Sequence, residues 1–446
     1  MTQALDERYI MTVVPRDPWT CIALLFAALP LAAGLIFRTY TFEVAPLWFE
    51  LVRQLDLFFL LVELAVVVVA RRRGFAYGAA FCALPRDVRG ATIVFLATFW
   101  IGSVFVTNFT PYSIIRASLW PVHLLFGAGL WHLAGRADAA AMRRIAMLLL
   151  VGYAAYLPLL AAHLLHAPDP ATLPKGVVIW TSALPGYLSV RIFGMETGAL
   201  LAMLLGLVWR DPRFGGRPVL GFVAIMLVGG AICWSGTRAA MFGVAGAVLI
   251  TMVLRRNMPR AATVGLVLAA LLVGGGVSLL LLPPDPSFGF RVQSGLPSGD
   301  FSTGRTQIWT DAFNLFLARP LTGWGEGSFI WLVSYSGINV SHPHNMPLQM
   351  LESWGAPAAL AAFYLVARAW FNMQRRAARN DWLLPAMMAF DTLLIMSMVD
   401  GVFYHARLVM WVALVNVVAL AAPQAQRGAA RPVRRTCADG ELTPAS

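Results

Sequence analysis

The amino-acid sequence predicts an all-α fold, a polytopic transmembrane helical bundle with one long outer loop that carries short helices. Hydrophobic residues make up 59% of the 446 residues and charged residues only 13%, a composition far from that of soluble domains. Apolar stretches long enough to cross a bilayer recur along the chain, about twelve in all. Arginine clusters follow every second stretch. Together these observations predict a protein that crosses a membrane many times.

Each predicted span is centred on a run of apolar residues. The approximate centres are Leu25, Leu60, Val94, Leu124, Leu150, Leu200, Met226, Val248, Val273, Leu360, Leu393 and Leu414. The second span is the weakest, because charged residues interrupt it between Glu50 and Glu63. The apolar run from Trp19 is too long for a signal peptide and lacks a clear small-residue cleavage site, so we predict a retained span there.

The arginine clusters predict the orientation of the chain, because short loops rich in Arg and Lys face the cytoplasm. The clusters are Arg71 to Arg73, Arg136 with Arg143 and Arg144, Arg210 to Arg217, Arg255 to Arg260, Arg375 to Arg379, and the tail from Arg427. Both termini are therefore predicted to be cytoplasmic, and segments 167–190 and 283–341 to lie outside. The net charge of +12 follows from this bias, so nucleic acid is not an expected partner.

The spans and loops divide the chain into four predicted parts. They are a first transmembrane region (1–282), an outer loop expected to carry the polar chemistry (283–345), a second transmembrane region (346–422) and a cytoplasmic tail (423–446). The tail is rich in Arg, Ala and Pro and is predicted to be disordered. The 4 cysteines are scattered without CxxC spacing, so neither a disulfide framework nor a zinc site is predicted. We expect no metal and no cofactor.

Several arginines run against the orienting bias, because they lie on the outer side or at outer ends of spans. They are Arg38, Arg116, Arg191, Arg238, Arg291, Arg305, Arg319 and Arg407. For Arg38 or Arg319 a snorkelling membrane anchor is the simpler interpretation. Arg191 opens an apolar run and Arg238 lies in a turn between two spans, where a guanidinium needs an anionic partner. Neither has an obvious acidic neighbour in sequence. Because the arginine fork suits phosphate oxygens, a phosphate or diphosphate site is indicated, with anchoring as the alternative.

His342 and His344 flank Pro343 directly before the span centred on Leu360. Because proline restricts the residue before it, SHPHN is predicted to be an irregular turn that leads into a helix starting near Met346. A histidine exposed at such a turn can take a proton from a sugar hydroxyl near neutral pH. A helix-capping polar turn is the alternative. The other histidines lie in or near spans, where packing is the simpler interpretation.

A set of polar motifs between residues 185 and 365 stands out from the apolar background. They are Arg305 with Trp309, the glycine turn GWGEG at 323–327, His344-Asn345 followed by nine residues and then Gly355, and the arginine motifs VRIFG around Arg191 and SGTRAAMFG around Arg238. This set resembles the signature of the O-antigen ligase and O-antigen polymerase superfamily. The spacing from His344 to Gly355 and the single dominant outer loop are most similar to the ligases. Pro357, in the first turns of a span, departs from the pattern.

The resemblance implies an enzyme of lipopolysaccharide biosynthesis at the periplasmic face of the bacterial inner membrane. Such ligases transfer a glycan from undecaprenyl diphosphate to a sugar hydroxyl of lipid A-core, without a metal and with inversion. His344 is then expected to take the proton of the acceptor hydroxyl. Arg191, Arg238 and Arg305 are expected to hold the diphosphate and stabilise the leaving group. Further substrate-binding residues are expected to be His342, Asn345 and Arg116.

Other functions remain open on the sequence alone. An O-antigen polymerase would use the same donor but a second lipid-linked glycan as acceptor. A protein-glycosylating member of the superfamily is less consistent, because no additional long loop is present to receive a protein. A transporter of lipid-linked oligosaccharides would also have many spans and buried arginines. Transporters tend to place their site near the midplane, with internal repeats, whereas these polar groups collect at one face. A purely structural membrane protein would not need so many outward arginines.

Overall fold

The chain is almost entirely helical in the computed structural model. The structure describes residues 17–37, 41–43, 55–166, 177–179, 184–187, 189–211, 214, 216–255, 258–281, 304–335 and 338–423. Within these residues the expected all-α architecture is confirmed, since strands form only short antiparallel pairs. The expected tail beyond Pro423 and the first part of the expected outer loop, 283–303, lie outside the described residues.

The helices follow one another with short connections. Those before residue 170 are α1 (Pro18–Ile36), α2 (Leu55–Arg72), α3 (Tyr77–Cys82), α4 (Arg86–Ile101, continued by a π-helical turn at Gly102–Val106), α5 (Thr110–Ala117), α6 (Leu119–Ala134) and α7 (Ala139–Leu165). Those after it are α8 (Val190–Arg210), α9 (Pro218–Ser235), α10 (Arg238–Arg255), α11 (Ala261–Leu280), α12 (Arg305–Ala318), α13 (Phe329–Leu332), α14 (Met346–Arg379), α15 (Leu384–Ser397) and α16 (Ala406–Ala421). Short 3-10 turns lie at Asp381–Leu383 and Val402–Tyr404.

Strands play a minor part in this architecture. In the first antiparallel pair, β1 (Thr41–Glu43) joins β2 (Val177–Ile179). In the second, β3 (Ser334–Tyr335) joins β4 (Ile338–Asn339) within the predicted outer loop.

Nine helical stretches of the described chain are long and apolar enough to cross a membrane. The other three predicted spans coincide with helices that are more charged or shorter. α2 carries acidic and basic residues, among them Glu63. α15 and α16 are 14 and 16 residues long. By length and apolar composition, nine stretches of the described chain qualify as spans, so the expected number of about twelve is not confirmed.

α8 is the most buried of the long helices, and it forms the centre of the bundle. It packs against α9, α10 and α15, while α1 packs on α7, α2 and α16 pack on α6, and α4 packs on α14. Almost every side chain of α8 is buried. A helix that is apolar all round is expected to lie in the middle of a bundle. α8 is therefore a rigid support for the residues at its ends.

α14 consists of two helices joined by a kink at Gly355, whose φ of 75° and ψ of 169° are not helical. A Cβ atom at this position would also lie 2.5 Å from the carbonyl group of Leu321, so the kink requires glycine. Pro357 then falls in the first turn of the second helix, where its missing N–H and fixed φ are tolerated. The departure noted in the sequence thus has a structural reason, since Pro357 begins a helix and does not interrupt one.

Candidate functional site

Close packing of α8 against the turn between α9 and α10 places Arg191 beside Arg238. The chain reverses at Ser235 to Thr237, and Gly194 lies directly against this turn. A Cβ atom at Gly194 would approach Thr237 Oγ1 to 2.0 Å, so only glycine allows the two helices to come so close. Arg191 lies in the first turn of α8, one turn before Gly194, and Arg238 is the first residue of α10. Both arginines are partly exposed.

Arg305 joins this group from the predicted outer loop, where it is the first residue of α12. Its Nη2 atom lies 3.5 Å from Oδ2 of Asp400, in the connection between α15 and α16. Burial lowers the pKa of Arg305, Asp400 opposes that effect, and the charges of Arg191 and Arg238 lower the pKa further. Arg191 and Arg238 therefore lie close enough to Arg305 for their charges to act on it.

The SHPHN turn is held by contacts from three directions. Trp309 of α12 donates its indole N–H to the carbonyl of Pro343 at 2.9 Å. Asn345 accepts the backbone N–H of Leu348 with its Oδ1, which caps α14, and donates its Nδ2 to the carbonyl of Met398. The predicted turn and the predicted start of α14 are therefore confirmed. Both polar atoms of Asn345 are used inside the protein.

His344 points from this turn to Asp400. The distance between His344 Nδ1 and Asp400 Oδ1 is 3.0 Å, and the Gly401 backbone N–H donates to the same oxygen at 2.9 Å. The structure thus joins the imidazole of His344, the carboxylate of Asp400 and, through Oδ2, the guanidinium of Arg305. A carboxylate on one imidazole nitrogen orients the ring and leaves Nε2 for another partner.

Burial and charge set the protonation states of this pair. Burial lowers the pKa of His344, the hydrogen bond and charge of Asp400 oppose the effect, and Arg191 and Arg305 add to the lowering. Burial also works against ionisation of Asp400. The hydrogen bond and charge of His344 and the charges of Arg191 and Arg305 outweigh burial and hold the pKa of Asp400 below its ordinary value. The imidazole is therefore neutral and the carboxylate ionised near neutral pH.

Arg116, on α5, is more deeply buried than the three site arginines. Its guanidinium stacks over the Tyr404 ring at 4.1 Å, donates to the Tyr404 carbonyl at 3.2 Å and faces Glu326 at 3.9 Å. Burial raises the pKa of Glu326, while Arg116, the indole N–H of Trp354 and His123 lower it. Arg116 is thus buried among protein groups, and the three site arginines are more open to an external anion.

The glycine turn GWGEG at 323–327 supports the site and lies against the kink of α14. The backbone N–H groups of Trp324 and Gly325 donate to the carbonyls of Glu352 and Ser353, each at 2.9 Å. Gly323 has a φ of 64°, and a Cβ atom there would lie 2.4 Å from the Ser353 carbonyl oxygen. The motif therefore joins the predicted outer loop to α14 through backbone contacts that a side chain would prevent.

An apolar cavity of about 420 Å³ lies between α7, α8, α9 and α11. Its lining includes Tyr153, Phe193, Met226, Trp234, Gly274 and Leu281. Phe193 is two residues after Arg191, and Trp234 is four residues before Arg238. The cavity is thus adjacent to the ends of α8 and α10 that carry these two arginines.

His342, His344 and Asp400 bring their ligating atoms within 4.8 Å of one another, a donor set that suits a transition metal in a neutral setting. Here Nδ1 of His342 accepts the backbone N–H of His344, and Nδ1 of His344 is bonded to Asp400. The charges of Arg191 and Arg305 act on His344 and Asp400. One nitrogen of each imidazole is thus already hydrogen-bonded, and the nearby positive charge disfavours a resident cation.

The structure brings together the residues that the sequence singled out. His344, Arg191, Arg238 and Arg305 meet at one end of the bundle, with His342 and Asn345 in the same turn as His344. Sequence reasoning missed Asp400 as a site residue. Its signal was an acidic residue between two short spans, in VDGVFYH, which could not be linked to His344 without the fold.

The fold and the site define a polytopic membrane protein with a basic, histidine-containing site at one end of its helical bundle. Residues 221–363 match the protein family described as O-Antigen ligase. The resemblance inferred from the motifs is thereby confirmed over the segment that contains Arg238, Arg305 and His344. A curated O-antigen ligase of Pseudomonas aeruginosa is 25% identical over 218 residues, which are 48% of this chain and 47% of that protein. The chain thus spans about half the length of the curated relative it matches.

Proposed function

We propose that this protein is a membrane glycosyltransferase, an O-antigen ligase that transfers a glycan from undecaprenyl diphosphate to a sugar hydroxyl of lipid A-core. One observation carries the proposal: a neutral imidazole held by Asp400 lies beside a group of three arginines, Arg191, Arg238 and Arg305. The arginines can bind an anion such as the donor diphosphate. The imidazole can accept the proton of the acceptor hydroxyl. These are the two reacting groups in such a transfer. The match of residues 221–363 to the ligase family supports the same reaction.

The donor diphosphate is proposed to bind to Arg191, Arg238 and Arg305. These residues lie at the first turns of α8, α10 and α12, so the positive ends of three helix dipoles add to their charge. The planar guanidinium groups can bind phosphate oxygens in pairs. As the glycosidic bond breaks, negative charge grows on the leaving diphosphate, and the same contacts stabilise it.

His344 is proposed to act as the general base. Its Nδ1 faces Asp400, so Nε2 takes the proton of the acceptor hydroxyl while the hydroxyl oxygen bonds to the anomeric carbon. The bond from that carbon to the diphosphate breaks, and the diphosphate leaves with the electron pair. Direct displacement of this kind inverts the anomeric configuration. The reaction as proposed needs no metal.

The lipid parts of both substrates are proposed to remain at the membrane. The apolar cavity of about 420 Å³ beside Arg191 and Arg238 is proposed to take part of a polyprenyl chain, with the diphosphate at its mouth. Asn345 is proposed to contribute by shaping the turn beside the substrate. The site is proposed to face the periplasm, with both termini in the cytoplasm, because the arginine-rich loops lie at the opposite ends of the helices.

Transfer from purified donor to purified lipid A-core, with chelator and without divalent metal, tests the proposal directly. We expect glycan to appear on lipid A-core. Loss of turnover on chelation would contradict the metal-independent mechanism. A matched genetic test separates ligase from polymerase. Deleting the gene should leave lipid-linked polymer intact and stop its appearance on lipid A-core. Loss of the polymer itself would instead favour the polymerase, and normal lipid A-core decoration would contradict both.

A further inference from the structure

We propose that His342 is a positioning residue, whose imidazole Nδ1 is a fixed hydrogen-bond acceptor that holds the backbone of His344 in its active conformation. The inference rests on the proposed function, because it concerns how the proposed base is oriented. It goes beyond that function by giving separate roles to the two histidines of the turn and by extending the site to Gly401 and Tyr404.

The backbone of His344 is in an unusual conformation that needs support. Its φ is 53°, in the left-handed region that residues other than glycine adopt at some cost. The His344 backbone N–H donates to Nδ1 of His342 at 3.1 Å. This bond requires Nδ1 to be unprotonated and to lie two residues back along the chain. His342 therefore supplies the acceptor that stabilises the turn from inside.

The ring of His342 is in turn held in one place. His342 is 3% exposed, and its ring lies 4.5 Å from that of Tyr404. On another side it meets Gly401, where a Cβ atom would lie 2.2, 2.6 and 2.8 Å from atoms of the imidazole. The backbone of Gly401, with φ of −86°, is not in the left-handed region that favours glycine. Glycine is therefore needed here to leave space for the ring of His342.

Arg116 holds Tyr404 in place. The guanidinium of Arg116 covers the face of the Tyr404 ring and donates to its carbonyl, and Glu326 faces Arg116. A cation over an aromatic face is attracted by the negative face of the ring. Arg116, expected from the sequence to bind substrate, is thus assigned to the support of the histidine turn.

A displacement of the His342 side chain would affect the reaction only through His344. If the backbone of His344 relaxes, its imidazole leaves the 3.0 Å contact with Asp400 and no longer points at the acceptor hydroxyl. Arg191 and Arg238 stay in place because α8 and α10 carry them. Loss of position should therefore lower kcat and leave the KM for donor nearly unchanged.

Two substitutions of similar polarity test the acceptor. In His342→Asn the side-chain oxygen is bonded to Cγ, at the place of Nδ1, whereas in His342→Gln the amide group lies one bond further out. We expect the asparagine variant to keep kcat within about fivefold of wild type. The glutamine and alanine variants should lose on the order of 10²-fold, the scale of a misplaced catalytic group. Equal kcat for asparagine and glutamine, or an asparagine variant as poor as alanine, would overturn the proposal.

A second experiment tests the space around the ring. Gly401→Ala should lower the thermal unfolding temperature and kcat in the wild-type background, because the new methyl group displaces the His342 ring. In a His342→Ala background the clash is absent, so the same change should have little further effect on either quantity. Gly276→Ala in α11, where nothing lies within 4 Å, is the matched control. Additive losses in the double variant would contradict the proposed contact.

These two experiments separate the positioning role from the proposed function. The comparison of unfolding temperatures between the single and double variants does not depend on any transfer reaction. If the wild-type protein showed no transfer activity, the proposed function would be wrong. The unfolding temperatures of the single and double variants would still decide whether Gly401 leaves space for His342. A wild-type protein with full transfer activity but equal histidine variants would remove only the positioning role.

Discussion

His344 Nδ1 lies 3.0 Å from Asp400 Oδ1, although the two residues are 56 positions apart in the sequence. The second oxygen of Asp400 faces Arg305 at 3.5 Å. One buried carboxylate therefore contacts both the proposed base and one of the proposed phosphate-binding arginines. Proton transfer and donor binding are expected to depend on the same side chain.

Asp400→Asn should lower kcat by on the order of 10²-fold or more, because the amide no longer fixes the tautomer and direction of the imidazole. The KM for donor should rise as well, since Arg305 loses its carboxylate partner. Steady-state transfer to lipid A-core measures both constants. Asp381→Asn is the matched control, because that carboxylate is exposed at the other end of the bundle. An unchanged kcat in Asp400→Asn would exclude the orienting role.

His344→Ala should abolish transfer while the protein still folds and binds lipid-linked donor, because the arginines hold the diphosphate. His344→Gln is the sharper variant. Glutamine keeps hydrogen-bonding capacity at the turn but has no nitrogen that can accept a proton near neutral pH. We expect it to be as inactive as alanine in the transfer assay. Near-normal turnover by the glutamine variant would remove His344 from the mechanism.

The pH dependence of kcat/KM should report the environment of His344. A general base works in its neutral form, so activity is lost as the pH falls through its pKa. Burial lowers the pKa of His344 below the ordinary value of 6.5, so activity should persist below that pH. In Asp400→Asn the carboxylate that raises this pKa is removed, and the loss should move to still lower pH. A shift to higher pH in that variant would contradict the assignment.

Arg191→Lys and Arg238→Lys each keep the positive charge but remove the planar fork. Transition-state stabilisation should fall by about 2 kcal/mol or more if the contact strengthens as the diphosphate leaves. Donor binding should also weaken. Kinetics and donor titration measure the two effects, and Arg72→Lys, exposed on the opposite side of the bundle, is the control. Full activity at normal protein levels in both variants would show that these arginines are membrane anchors.

Cysteine labelling tests the orientation of the chain. In a background without native cysteines, labels at Ser298 or Ser336 should react with a membrane-impermeant reagent added outside the inner membrane. A label at Ala378 should react only after the membrane is permeabilised. The arginine clusters motivate this expectation. Labelling of Ala378 together with protection of both loop positions would reverse the orientation.

The sequence by itself determined the class of fold and many of the candidate site residues. Long apolar runs and arginine-rich loops indicate membrane helices without reference to any tertiary contact, because burial in lipid depends on local composition. The turn before Met346 could be predicted for the same reason, since Pro343 restricts the backbone locally. His344 and the three arginines were conspicuous because polar groups are costly next to membrane spans.

Only the tertiary structure decided which of these residues act together. Asp400 meets His344 because α14, α15 and α16 bring two distant connections to the same end of the bundle. The Gly194 contact with Thr237 places Arg191 beside Arg238, and the kink at Gly355 gives Pro357 a place at the start of a helix. The contacts of Gly401 and Tyr404 with His342 likewise join segments far apart in sequence. Such contacts depend on how helices pack in three dimensions, and no local pattern of residues specifies that packing.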